Sequence, residues 1–309
     1  IIVLASTTFR PTFEFSLEAL GPHLAFSRDS GLLGLVGFVG KQIDPLVIGR
    51  VLGSASVGLY SVAWRIALLP MQFLSMPLQN ALFTRLVMLR DDKKASSNLF
   101  LVTAWLIAAI IFPGFAVGAA ASDAFFHVFL SEKWLPAAPV FVLLAPTLAF
   151  QAVMIVCGTM LLAMGESGRR LRLNVEIALA WVVVLPFVAG LGVDAVAAAY
   201  TLTYALISIR AYPMYLHPIG CTALELFRTL RWPILVAFGG AAVHVGVRTW
   251  APTGPVVEVG VAIVVLLSAY GVLALIERRK MSERIGVLRS VMAMRAAHET
   301  PPTSEQAAT

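Results

Sequence analysis

Runs of about twenty apolar residues recur along this chain, each long enough to cross a hydrocarbon layer of about 30 Å as an α-helix. Eight spans are expected, near residues 30–48, 58–83, 98–120, 138–164, 173–190, 193–213, 230–249 and 255–276. With 59% hydrophobic and 13% charged residues among 309, polar side chains are too few to cover a water-soluble globule. Alternating ten-residue apolar segments, the mark of a membrane barrel, do not occur. The expected fold class is therefore all-α, a polytopic membrane protein. The opening IIVLAST is too brief to span and lacks the basic start of a signal peptide; it reads as the end of an earlier helix in a truncated chain.

The formal charge of +6 sits in short loops and not along one face, which argues against nucleic acid and for topology signals. Eighteen of the 23 Lys and Arg residues fall on one side of the expected spans and three, Arg50, Lys133 and Arg248, on the other. The basic side, with the C-terminus, is expected in the cytoplasm. Cys157 and Cys221 have no CxxC pattern and no histidine at ligand spacing, so neither a disulfide, a metal nor any other cofactor is expected.

On the other side, AGLGVD and TWAPTGP suit tight hairpins. The longer SDAFFHVFLSEKWLPAAP mixes aromatic and charged residues, as a short helix at headgroup level would, with His127 an interfacial residue. After the last span, Ile285, Leu288 and Met292 share a face among arginines, which suits a helix lying on an anionic leaflet, and HETPPTSEQAAT is expected to be disordered. Pro45, Pro70, Pro77, Pro113, Pro146, Pro186 and Pro213 fall in or at the ends of spans, so several helices are expected to bend or break.

Charge inside the apolar sequence is concentrated between Lys41 and Asn80. An ionisable residue in hydrocarbon is costly and marks a functional site. Lys41 and Arg65 each lie seven residues from the same surface, about 10 Å deep at 1.5 Å per residue. Asp44 shares a helix face with Lys41, and pairing it with Lys41 or Arg65 would leave one positive charge to attract an anion. Arg50 stands at the mouth, and Gln72, Gln79 and Asn80 follow Arg65 at about seven-residue spacing. The alternative is an ion cluster that only fixes helix packing, or an Arg65 that snorkels to the headgroups. Gln151 and Glu176, on later helices, read as helix-to-helix hydrogen bonds.

The run DPLVIGRVLGSASVGLYSVAWRIALLPMQFLSMPLQNALFTRL resembles the signature of Wzx-type polysaccharide flippases, in the multidrug/oligosaccharidyl-lipid/polysaccharide exporter superfamily. SEKWLPAAPVFVLLAP and AMGESGRRLRLNVE resemble two later segments of that family. The resemblance implies a MATE-like fold of two six-helix lobes facing across a cavity, with two further helices. Residues 30–213 would be the C-terminal lobe, 214–276 a cytoplasmic loop and the extra pair, 1–29 the remnant of a preceding helix and a linker, and 277–309 a basic tail. Carried onto this chain, the family's polar positions fall on Asp44, Arg50 and Arg65, and less securely on Lys41.

The resemblance further implies translocation of an undecaprenyl-diphosphate-linked oligosaccharide across the bacterial inner membrane. Partners would be that polyprenyl diphosphate, membrane lipids and a polysaccharide polymerase or export complex. A surplus Lys or Arg in a cavity suits a diphosphate, and Asp44 is the acid suited to a coupling proton or sodium ion. Rivals are a lipid II flippase and a drug/cation antiporter, for which acidic cavity residues would be expected. A membrane enzyme, a polymerase or transferase, would need a richer outer loop than Asp123, His127 and Glu132. A purely structural partner would leave the intramembrane charges unexplained.

Overall fold

The computed structural model describes residues 17–278 together with 280, 284 and 286. The described residues form eight long helices and one short one: α1 (Leu17–Leu52), α2 (Ser54–Met88), α3 (Lys93–Ala120), α4 (Ser122–Phe129), α5 (Ala137–Ala163), α6 (Ser167–Ala189), α7 (Val193–Leu216), α8 (Ala223–Trp250) and α9 (Pro255–Ile276). Seven of the long helices are long and apolar enough to cross a membrane. The exception is α7, which carries Asp194, Thr201, Thr203, Ser208 and Arg210 among its apolar residues. This is an all-α, multi-pass membrane protein.

Local chemistry explains the ends. Between α1 and α2 a single residue, Gly53, turns the chain at φ 83°, a left-handed conformation that glycine adopts without steric penalty. Asp92 caps α3 by accepting from the Ala95 amide at 2.9 Å, and Thr222 with Glu225 forms a capping box on α8. The connections Gly53, 121–136, 190–192 and 251–254 lie at one end, called here the hairpin end; 89–92, 164–166 and 217–222 lie at the other, the basic end.

Three outcomes differ from the sequence reading. The helix expected from about residue 30 already runs through the described residues from Leu17 to Leu52. Helices α3, α5, α6 and α7 continue through Pro113, Pro146, Pro186 and Pro213, as α1 does through Pro45. None of these is broken, as is tolerated where neighbouring helices cover the freed backbone groups. The segment SDAFFHVF does form a helix, but Ala124 and Phe126 are buried against the bundle while Phe129 is exposed. The apolar face of Ile285, Leu288 and Met292 and the terminal HETPPTSEQAAT lie outside the described residues, as does IIVLAST.

At the centre, α5 packs against α2, α3 and α7, while α1 leans on α6. One continuous core includes Ile48, Leu82, Phe100, Ile107, Leu144, Met160 and Trp181. A second, smaller core of Trp105, Ala109, Val236, Ala269 and Leu273 docks α8 and α9 onto α3. Beyond α9, Arg284 lies 4.2 Å above the Trp105 ring and 2.6 Å from Glu277, which ties the start of the tail to the same seam.

Candidate functional site

Two features of the α1–α2 hairpin define the site. The first is a polar face on α2. Arg65, Gln72 and Asn80 are exposed, as are Leu69, Phe73 and Phe83 on the same stripe. Gln79 is half-buried and turns toward the edge of that stripe. Arg50, at the hairpin end of α1, is also exposed. Neither Arg50 nor Arg65 forms an ion pair among the described residues. The side chain of Lys41 lies outside those described.

The second feature is the setting of Asp44: of the two expected pairings, the one with Arg65 is not formed, and the one with Lys41 falls outside the described side chains. Asp44 is 6% exposed. It accepts a hydrogen bond from the Tyr60 hydroxyl at 2.9 Å and another from the indole N–H of Trp181. Tyr60 belongs to α2 and Trp181 to α6, so the carboxyl joins three helices through neutral donors. Asp44 points into the bundle while Arg65 points out of it, because the two occupy opposite faces of the hairpin. Among the described side chains, both partners of this carboxyl are neutral donors.

Aromatic rings close the space around it. Trp64 stacks on Tyr60 with centroids 6.1 Å apart and meets Tyr200 edge-on at 5.3 Å, and Trp181 meets Tyr200 at 4.9 Å. Gln151 of α5 donates to the Tyr200 hydroxyl at 3.1 Å. Nearby, Thr147 and Thr201 share a hydrogen bond, and Thr201 donates to the Leu143 carbonyl at 2.6 Å. Five helices thus converge on a polar, aromatic-walled cluster that begins at Asp44.

Gln151 acts as the expected helix-to-helix contact. So does Glu176, which meets Arg210 of α7 at 3.3 Å. Tyr60, Trp64, Trp181 and Tyr200 were not singled out by the sequence reading. The available signal was their amphipathic rings within spans, away from the membrane interface where such rings usually collect.

Residues 1–139 match the family described as Polysaccharide biosynthesis protein. The chain is 27% identical over 159 residues to the teichuronic acid biosynthesis protein TuaB of Bacillus subtilis, a match covering 52% of this chain and 33% of that one. It is 25% identical over 167 residues to the lipopolysaccharide biosynthesis protein WzxC of Escherichia coli, covering 54% of this chain and 34% of WzxC. Over these stretches the chain is similar to proteins of polysaccharide biosynthesis. A further relative, 32% identical over 145 residues, is the succinoglycan biosynthesis transport protein ExoT of Rhizobium meliloti, with 46% of this chain and 28% of ExoT covered. These matches span about a third of the relatives' lengths. The fold is similar to that of a solved structure, the lipid II flippase MurJ in its inward closed conformation, with a TM-score of 0.58 at 12% identity over 91% of this chain and 59% of that one.

Proposed function

We propose that this chain forms one lobe of a flippase, and that the lobe moves a polyprenyl-diphosphate-linked oligosaccharide between the leaflets of the bacterial inner membrane. Residues up to Leu216 make the six-helix lobe, and α8 and α9 the extra pair. The observation that carries the reading is the exposed face of α2, where Arg65 stands beside Gln72 and Asn80 with no acidic partner among the described residues. An unpaired guanidinium and two amides on an apolar helix offer charge-assisted bonds to a diphosphate and hydrogen bonds to sugar hydroxyls. Arg50 extends the positive charge toward the hairpin end.

In this reading the hairpin end faces outward and the basic end, with the C-terminus, faces the cytoplasm, in line with the eighteen-to-three bias of Lys and Arg. The polyprenyl tail stays in lipid against the exposed Leu69, Phe73 and Phe83. Asp44 serves the energy-coupling step as a proton carrier, since its neutral donors allow it to change charge. A drug/cation antiporter fits less well, because Asp44 is enclosed and the exposed charges are basic. Assembly with a polymerase would use other surfaces of the lobe.

Polysaccharide export in cells carrying the full-length gene, with protein levels in the membrane checked, tests the reading. Export is expected to stop with Arg65→Ala and to persist in part with Arg65→Lys. Normal export from both variants would remove Arg65 from the pathway.

A further inference from the structure

The face of α2 that carries Arg65 has a built end. Gly58, Arg65 and Gln72 recur every seven residues, a spacing that drifts by only about 20° per interval on an α-helix and so keeps all three on one face. Gly58 lies about 10 Å beyond Arg65 toward the hairpin end, at 1.5 Å per residue. A Cβ on Gly58 would lie 3.7 Å from Cζ3 and 3.9 Å from Cη2 of Trp134. The indole of the 121–136 connection therefore rests on α2 where the face ends.

Trp134 is also held from its own side. Its amide donates to the Ser131 carbonyl at 2.8 Å in a 3₁₀ turn over Glu132–Trp134, and its ring packs against the main core. The ring in turn carries a charge, because Nζ of Lys133 stands 5.0 Å from its centroid. Lys133 is exposed. It forms no ion pair with neighbouring Glu132 or with any other described residue.

The charge balance at the hairpin end sets Lys133 apart. Of the three basic residues there, Arg50, Lys133 and Arg248, the last is bound to Asp123 at 3.1 Å and to Glu258 at 3.5 Å. Arg50 and Lys133 are left without a carboxylate among the described residues. Snorkelling to lipid headgroups needs only a flexible stem, whereas this ammonium is fixed over an indole that is itself seated on α2.

We propose that Lys133 is a second phosphate-binding group for the cargo and that Trp134 is the residue that positions it. The inference rests on the flippase reading and gives the α2 face two cations at different depths. Arg65 holds the diphosphate within the membrane, and Lys133 receives it about 10 Å farther toward the hairpin end, where Arg50 adds positive charge. An ammonium binds phosphate as a hydrated point charge, without the bidentate fork of a guanidinium. That suits a position from which cargo must leave.

The test is polysaccharide export by cells carrying the full-length gene, normalised to protein in the membrane. Lys133→Gln is expected to lower export about tenfold, the effect of one lost charge-assisted bond, and Lys133→Arg to keep most of it. Trp134→Leu is expected to cost about as much as Lys133→Gln, and Trp134→Phe less. Lys133→Gln and Trp134→Leu together are expected to export no less than the poorer single variant, because Trp134 acts through Lys133. Losses that multiply overturn the positioning role. Normal export per molecule from Lys133→Gln while Arg65→Ala stops export overturns the proposal and leaves the flippase reading in place, as does a Lys133→Gln effect confined to protein levels, the mark of a headgroup anchor. Normal export from both Lys133→Gln and Arg65→Ala removes the two together. Lys133 is exposed, so its variants decide the matter even if Trp134→Leu fails to fold.

Discussion

Trp181 of α6 donates its indole N–H to the carboxyl of Asp44 on α1, across 137 positions of sequence. With the Tyr60 hydroxyl, it makes the buried acid a junction of three helices. Trp181→Phe keeps most of the ring contacts and removes only the donor. It is expected to cost about 1–3 kcal/mol, the penalty of leaving a buried acceptor unpaired. In an Asp44→Ala background the same change is expected to cost much less. Thermal unfolding of the four proteins in detergent gives the coupling, and additive effects would show that the bond contributes nothing to stability.

The amides on the exposed face of α2 are separable by their exposure. Gln72→Leu and Asn80→Leu are expected to leave protein levels unchanged and to lower export by about twofold to tenfold, the effect of one lost hydrogen bond to the substrate. Export rates normalised to membrane protein levels measure this. Equal export would place the substrate on another face of the lobe.

Adjacent glycines on α8 face different surroundings. A Cβ on Gly240 would lie 3.2 Å from Val117 of α3 and 3.6 Å from Ala269 of α9, whereas one on Gly239 would meet nothing within 4 Å. Gly240→Leu is expected to wedge α8 away from both neighbours at a cost of about 1–3 kcal/mol. Gly239→Leu is expected to be neutral or stabilising by at most about 1 kcal/mol, from helix propensity. Paired melting curves distinguish the two.

Cys221 sits in the connection between α7 and α8, 6% exposed. Burial, the largest cause, pushes its thiol up to about 11. The thiolate is the reactive form, so maleimide labelling of the folded protein is expected to be slow near neutral pH. The rate should rise about tenfold for each pH unit up to that value. Fast labelling at neutral pH would mean that this connection opens readily.

The sequence read best where the physics is local. Eight apolar runs became eight long helices, and the hairpin AGLGVD became a three-residue turn before α7 in which Gly192 takes a positive φ. The polar stripe of α2 was legible because Arg65, Gln72 and Asn80 recur at helical spacing in a segment that is otherwise apolar. Proline was over-read as a breaker: α3 and α5 continue through Pro113 and Pro146, where packed neighbours cover the freed backbone groups. Asp44 was recognised as exceptional, but its partners were assigned by charge, and Arg65 lies on the other face of the hairpin.

Length and hydrophobicity alone thus determined that this chain is a helical membrane protein and which of its residues are out of place in lipid. The tertiary structure decided which of those residues meet. Tyr60 and Trp181 reach Asp44 only through the rotation and depth at which packed helices sit. Hydrophobic periodicity carries little record of either, because in a bilayer the outward and inward faces of a helix are both apolar.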